Sequence, residues 1–486
     1  MRIQKNLKYT SVILAIFLIP FLDFLKNNID EINIILGKSF FFLILSLFCI
    51  LLIFSFIVNY IFKKTDFLNI FLSVVLIYWL LFKHNFLKLI IKSFFDKFDL
   101  ILSEYNSEIS LLILIVLGIY ASIIIHKNNH FFKRFIFIFF FLTFFTTLFQ
   151  VTGFNKKSNI IKNNEVNYLS YSDNLNKEKE NIYFFILDAM QPIKEFEKYY
   201  KIEMNDFLEF TENKNFLYIN NTSNIYDNTT HSLSAFFYLD KIFNDNKKLK
   251  QKTKILFPTI LREDNKSDLM NNLDNLGYEF KWLGNFFAYC PKFNLKYCLN
   301  KNQNSLIDTY LYINFFRQSP IIPIFINFGY IFDFDFDKYF FYRLNDGMGR
   351  LIDFLKEDKF INKPTFYFIH HMSPHWPYIT NEDCAYKNYS GKKNFDGYKS
   401  AYLCNLKKIK ETIEFLHEFD PNSTIVFQSD HNWAMSRSKD EKKMIFNLIK
   451  INESCNFDKK IPMHNVNTLR LIFSCMTGNK PDYLIN

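Results

Sequence analysis

The chain has 486 residues, 49% of them hydrophobic, and a net charge of +10 from 58 Lys and Arg against 48 Asp and Glu. That length exceeds one ordinary core and requires at least two units. The lysines are scattered without a basic stripe, which excludes a nucleic-acid binder and leaves only a weak pull toward anionic lipid headgroups.

Apolar residues concentrate in positions 1–153. A helix needs ~20 mainly apolar residues to cross the hydrocarbon. Five stretches qualify: 9–25, 39–62, 66–82, 109–125 and 134–152. No small-residue cleavage site follows the first, so it reads as a retained helix rather than a signal peptide. Residues 85–105 mix apolar side chains with Lys88, Lys92, Asp96 and Lys97, the pattern of an amphipathic helix on a membrane surface. Arg2, Lys5 and Lys8 precede the first span, Lys63 and Lys64 separate the second from the third, and Lys127, Lys133 and Arg134 the fourth from the fifth. Basic residues favour the cytoplasmic side. Five spans then put everything after residue 153 outside the cytoplasm, in a multi-pass protein of the plasma (inner) membrane.

Cysteine usage agrees. Cys49 lies in the second span; Cys290, Cys298, Cys384, Cys404, Cys455 and Cys475 all lie beyond the last one. An even number in an exported domain points to disulfides. Near-neighbour pairing is the simplest arrangement: Cys290–Cys298, Cys384–Cys404 and Cys455–Cys475. A zinc ligand set is the competing reading, but no Cys-x-x-Cys spacing occurs.

Residues 154–180 are polar and read as a linker between a transmembrane domain (1–153) and a catalytic domain (181–486). From Asn181 strand-like runs (181–188, 216–222, 278–283, 365–371, 424–429, 445–451) alternate with helical ones (231–243, 259–276, 344–356, 398–418). That alternation predicts an α/β domain with a mainly parallel sheet. Three runs end in metal-ligating residue types: Asp188; His370 and His371 with His375 beyond; and Asp430 with His431. Ligands bind outside the carboxyl ends of such strands. Carboxylate and imidazole together are a usual zinc or manganese pair.

Each residue also has an ordinary explanation. Asp188 serves equally as a turn cap. Along a strand His370 and His371 face opposite ways, so one at most faces the site. The segment Asn228-Thr229-Thr230-His231 turns helix-like at about Thr229, where a hydroxyl is either a helix cap or a nucleophile lying where backbone N–H groups favour negative charge. His231, His464 and Arg470 carry no distinguishing signal.

Together, Ile186-Leu187-Asp188, Thr229-Thr230-His231-Ser232-Leu233-Ser234, His370 through Tyr378, Ser429-Asp430-His431 and Val466 through Arg470 carry a resemblance to a family. The chain resembles membrane-anchored members of the alkaline phosphatase and sulfatase superfamily, such as lipoteichoic acid synthases and phosphoethanolamine transferases. The resemblance implies a sulfatase-like catalytic domain behind about five transmembrane helices. It implies Asp188, Thr229, Asp430 and His431 around a divalent metal, Zn or Mn. It makes Thr229 the nucleophile that becomes phosphorylated, with Thr230 as the fallback, and gives His375 and His370 to the transferred or leaving group.

Two departures stand out. Phosphoethanolamine transferases carry Glu where this chain has Asp188, and the Cys/Ser-x-Pro-x-Arg frame of sulfatases is absent. The expected activity is transfer of a phospho-substituent from a membrane phospholipid to an envelope glycan or lipid-linked acceptor. A membrane-anchored phosphoester hydrolase and a non-catalytic envelope scaffold are the alternatives.

Overall fold

The computed structural model describes residues 2–28, 37–61, 66–97, 106–127, 130–153, 179–241, 267–284, 346–357, 363–389, 394–433, 441–451 and 463–484, with positions 299, 312, 315–316, 318–320, 342 and 455. The expected linker lies outside them except for residues 179–180, as do Cys290 and Cys298. The chain divides into two compact units.

The N-terminal unit holds α1 (Arg2–Asn27), α2 (Lys38–Ile61), α3 (Phe67–Leu81), α4 (His84–Lys97), α5 (Asn106–His126) and α6 (His130–Gly153). Four of these, α1, α2, α5 and α6, are long and apolar enough to cross a membrane. The expected span at 66–82 is α3, whose 15 residues rise only about 22 Å against ~30 Å of hydrocarbon. It continues, after a bend of 50°, into α4, and the pair together is long and apolar enough for a broken span or a re-entrant loop. The amphipathic helix expected over 85–105 corresponds to α4; residues 98–105 lie outside the described residues. Two charged groups among the described helices have polar partners, as apolar surroundings favour. Lys83 pairs with Asp23 at 2.8 Å, and buried Lys133 donates to Asn69 Oδ1 at 2.8 Å. Tyr312 and Phe315 follow the first strands of the second unit in sequence yet belong to this one. Phe315 stacks on Phe21 at 4.5 Å, and the Tyr312 hydroxyl donates to the Ser39 carbonyl.

The second unit is built on a six-stranded sheet of order β2-β7-β6-β1-β5-β4. Its strands are β1 (Ile182–Leu187), β2 (Leu217–Tyr218), β4 (Glu279–Leu283), β5 (Thr365–His371), β6 (Thr424–Ser429) and β7 (Asn447–Lys450). β1 pairs in parallel with both β5 and β6, and β4 with β5; β7 and β2 run antiparallel at one edge. A two-stranded sheet joins β3 (Thr222–Ser223) to β8 (Met463–His464), so the run expected at 216–222 is two short strands. The helices are α7 (Ile193–Tyr200), α8 (Asn205–Asn213), α9 (Thr229–Tyr238), α10 (Asp268–Asn275), α11 (Gly347–Glu357), α12 (Phe395–Phe419) and α13 (Asn465–Thr477).

The central strands are buried on both faces, which is why they read as unbroken apolar runs. Side chains alternate between faces. Tyr183, Phe185, Leu187, Tyr367, Ile369 and Phe427 join the core shared with α7, α11 and α12. Phe184 and Phe368 turn the other way, onto Phe236 of α9. Gly347 opens α11 where only a glycine fits: a Cβ there would stand 2.7 Å from the His370 carbonyl oxygen. Cys384 pairs with Cys404 and Cys455 with Cys475, at Cα separations of 5.0 and 5.2 Å.

Phe427 is fully buried and stacks on Phe185 at 4.6 Å in the middle of this sheet. Phe427→Ala should destabilise the second unit by about 3–5 kcal/mol, the usual cost of a large core cavity. Urea unfolding of the detergent-solubilised protein, followed in its α/β transition, measures this.

Candidate metal centre

Register brings the candidate residues together. Leu187 of β1 is level with His371 of β5 and with Ser429 of β6. One step further, Asp188 and Asp430 lie side by side on neighbouring strands. His370 is level with Ile186 and shares the α9 face of the sheet. Asp188, His370 and Asp430 each present a ligand atom within 4.8 Å of the others, and all three are buried.

Local structure fixes each side chain. Ala189 leaves β1 with φ +60°, and its N–H donates to Asp430 Oδ1 at 3.2 Å, as does the N–H of His431 at 2.8 Å. Ser429 Oγ accepts the Met190 N–H and donates to the His431 carbonyl, tying the β1 and β6 ends together. His431 Nδ1 lies 2.8 Å from the Asn432 carbonyl, a contact in which the ring donates. Its Nε2 is thereby aimed at Asp188 Oδ1, 3.3 Å away, and at Asp430 Oδ2, 3.7 Å away. His370 Nε2 is 3.8 Å from Asp188 Oδ2.

Thr229 is the first residue of α9. Asn228 caps the helix, its side chain accepting the His231 N–H at 3.0 Å. Thr229 Oγ1 is 3.2 Å from His431 Nε2 and 3.5 Å from Asp188 Oδ1. The helix N-terminus adds partial positive charge there. Thr230 is half-buried one residue on, and its carbonyl accepts from Ser234. His375 is half-buried on the loop after β5, its ring 6.3 Å from that of His431.

The remaining candidates lie elsewhere. His371 faces α12, with Nε2 2.9 Å from Asn405 Oδ1. His231 contacts Asn228, and His464 contacts Ser223. Arg470 donates to the Leu239 carbonyl at the C-terminal end of α9 and to Asp482, clamping that helix. Sequence reasoning left open which of His370 and His371 joins the site, and did not single out Ser429 or Asn405; no local signal marks either.

Two carboxylates this close, away from water, demand positive charge. Burial raises Asp188, but His375, His431 and His370 outweigh it and hold the carboxyl below its usual range. Burial keeps Asp430 well above that range, with Asp188 adding to the shift against His431. Burial lowers His431, yet Asp430 and Asp188 outweigh it and raise the imidazole to about 10. Burial lowers His370 to about 4, leaving it neutral.

The donor set fits a divalent cation. Asp188 Oδ2 and Asp430 Oδ2 are buried without a hydrogen-bond partner among the described residues. Asp188, Asp430 and His370, with His431 Nε2, offer the mixed oxygen and nitrogen donors that zinc or manganese takes.

Fold and site together define a two-sided α/β domain with a carboxylate–imidazole centre at the carboxyl ends of its three central strands. No protein-family model and no curated protein sequence matches the chain. Solved structures do resemble it. One is the C-terminal periplasmic domain of EcEptC from Escherichia coli, in complex with zinc: 14% identity, TM-score 0.40, 64% of this chain and 86% of that one. Another is the same domain of phosphoethanolamine transferase EptC from Campylobacter jejuni: 13% identity, TM-score 0.39, 63% and 97% of the chains. A third is the lipoteichoic acid synthase LtaP from Listeria monocytogenes: 12% identity, TM-score 0.36, 65% and 77%.

The protein purified in zinc or manganese should retain a divalent ion, and Asp188→Ala or Asp430→Ala should lower its affinity by roughly a hundredfold or more, beyond what losing an outer-shell partner costs. Because a bound cation displaces the His431 proton, affinity should rise as pH rises toward about 10. Plasma mass spectrometry and calorimetric titration at several pH values measure both.

Proposed function

We propose that the chain is a membrane-anchored, metal-dependent phosphotransferase of the alkaline phosphatase and sulfatase superfamily. The observation that carries this reading is the Thr229 hydroxyl, set at a helix N-terminus and within 3.5 Å of both Asp188 Oδ1 and His431 Nε2. A hydroxyl so placed is a nucleophile in waiting, since positive charge and an adjacent base both favour its alkoxide.

Asp188, Asp430 and His431, with His370 beside them, would hold the cation, which supplies Lewis-acid charge to the hydroxyl and to the phosphoryl oxygens. Thr229 Oγ attacks phosphorus of a membrane phospholipid, and the bond from phosphorus to the diacylglycerol oxygen breaks. The hydroxyl proton is lost to solvent, because a cation held at this centre would favour the alkoxide, and His375 protonates the leaving alkoxide. A phospho-threonine carrying the headgroup results. The hydroxyl of an envelope glycan or lipid-linked acceptor then attacks phosphorus and gives its proton to His375, left neutral by the first step, while the bond from phosphorus to Thr229 Oγ breaks. The N-terminal helices would keep the site beside its lipid donor, on the outer side of the plasma membrane, and raise the donor's effective concentration. With water as acceptor, the same first step gives the hydrolase.

Full-length protein incubated with phosphatidylethanolamine or phosphatidylglycerol and zinc or manganese should carry a phospho-substituent on Thr229, visible by peptide mass spectrometry. Thr229→Ala should abolish the adduct and cut turnover roughly 10³-fold or more. An adduct on Thr230 instead, or full activity in the variant, would overturn the assignment. His375→Ala should slow turnover of esters with poor leaving groups by roughly 10²–10⁴-fold while leaving metal content intact. Steady-state rates on alkyl and p-nitrophenyl esters measure that difference.

A further inference from the structure

The second imidazole of β5 and the loop that carries His375 share one partner, Asn405. This residue lies in the middle of α12 and is fully buried. Its Oδ1 stands 2.9 Å from His371 Nε2, and its Nδ2 donates to the Ser373 carbonyl at 2.6 Å. From the far side the Met348 N–H donates to His371 Nδ1 at 3.4 Å.

These contacts admit one arrangement of protons. Nδ1 accepts, so Nε2 carries the hydrogen and donates to Oδ1; the amide is then oriented with Nδ2 toward Ser373. Only a side chain with a donor and an acceptor on one short stem meets both demands. A buried amide is costly unless both ends are bonded, and Asn is a poor residue for a helix interior. Both costs are accepted here at one position. One residue earlier, Cys404 ties the same helix to Cys384, farther along the chain that leaves β5.

The two anchored points bracket the site. His371 adjoins His370, so a shift of one ring moves the other's backbone. Ser373 stands two residues before His375, whose N–H is bonded to the Met372 carbonyl at 2.9 Å. We infer that Asn405 is a positioning residue: through His371 and the Ser373 carbonyl it sets where His370 and His375 stand at the candidate metal centre. The part of this inference that concerns proton transfer rests on the proposed function; the positioning does not.

The test is labelling of full-length protein in detergent at neutral pH with diethyl pyrocarbonate, read at each histidine by peptide mass spectrometry. Asn405→Leu removes both bonds, and His371 and His375 should label faster by roughly tenfold or more, as in a local opening. Asn405→Asp keeps the acceptor for His371 but sets a carboxylate against the Ser373 carbonyl, so His375 alone should gain reactivity. His464, on the other sheet, is the internal control. If Asn405→Leu raises His464 as well, it has unfolded the domain, and Asn405→Asp decides. Unchanged labelling of His375 in Asn405→Asp would overturn the positioning. In the activity arm, Asn405→Asp should slow an alkyl phosphoester roughly tenfold or more and a p-nitrophenyl ester little, because only the poor leaving group needs the proton. Equal slowing of both esters would overturn the link to proton transfer. A wild type inactive on every phosphoester would remove the proposed function, while the labelling would still decide the positioning.

Discussion

Two carboxylates buried side by side cannot both stay charged without a cation between them, and that demand organises the α/β unit. Asp188 and Asp430 meet because β1 has parallel neighbours on both sides, in register to their last residues. Imidazoles crowd the pair from β5 and β6, and α9 directs its positive end at the same point. Asp430 and Asp188 raise the His431 imidazole, so its proton sets a positive charge beside the pair. A cation bound there would compete with that proton, and the Thr229 hydroxyl lies 3.2 Å from the same nitrogen.

The sheet that carries this charge is unusually aromatic on both faces. Phe185 stacks on Phe427 and Tyr183 on Tyr367 on one side; Phe184 and Phe368 meet Phe236 on the other. Groups held on strands packed this way are placed more exactly than groups on loops, which suits a site whose donors must converge. His370 is on β5, and Asp188, Asp430 and His431 follow directly on β1 and β6; His375 lies farther out, on a loop bonded back to α12 through Asn405. β5 thus carries two neighbouring imidazoles with opposite tasks: His370 turns toward the carboxylates, and His371 is fastened to a helix.

Much of this was legible from residues alone. A strand buried on both faces reads as an unbroken apolar run, so β1, β5 and β6 appear within a residue of their observed ends, and the polar residues that stop them form the candidate site. The short edge elements were not legible. β2 and β3 have two residues each, too few for any periodicity, and merged into one expected strand. The break at Phe82 and Lys83 was legible, since the expected span ends at 82 and the amphipathic helix begins at 85; that the two arms together pass as one bent pair was not. The helix over α9 was expected at 231–243 with a helix-like turn from about Thr229, and the Asn228 cap does start it at Thr229.

Residue types and their order sufficed for the broad organisation: apolar helices first, then an alternating domain whose strands end in oxygen and nitrogen donors. Those properties are local, and each window of chain carries its own signal. The pairing of the cysteines, the choice of His370 over His371, and the threonine hydroxyl that reaches the carboxylates belong to the folded molecule. Strand alternation says that consecutive histidines part company, but not which face lies under α9. That follows from the register of β5 against β1 and from which helices cover each face, and register is set by side chains packing across strands far apart in sequence.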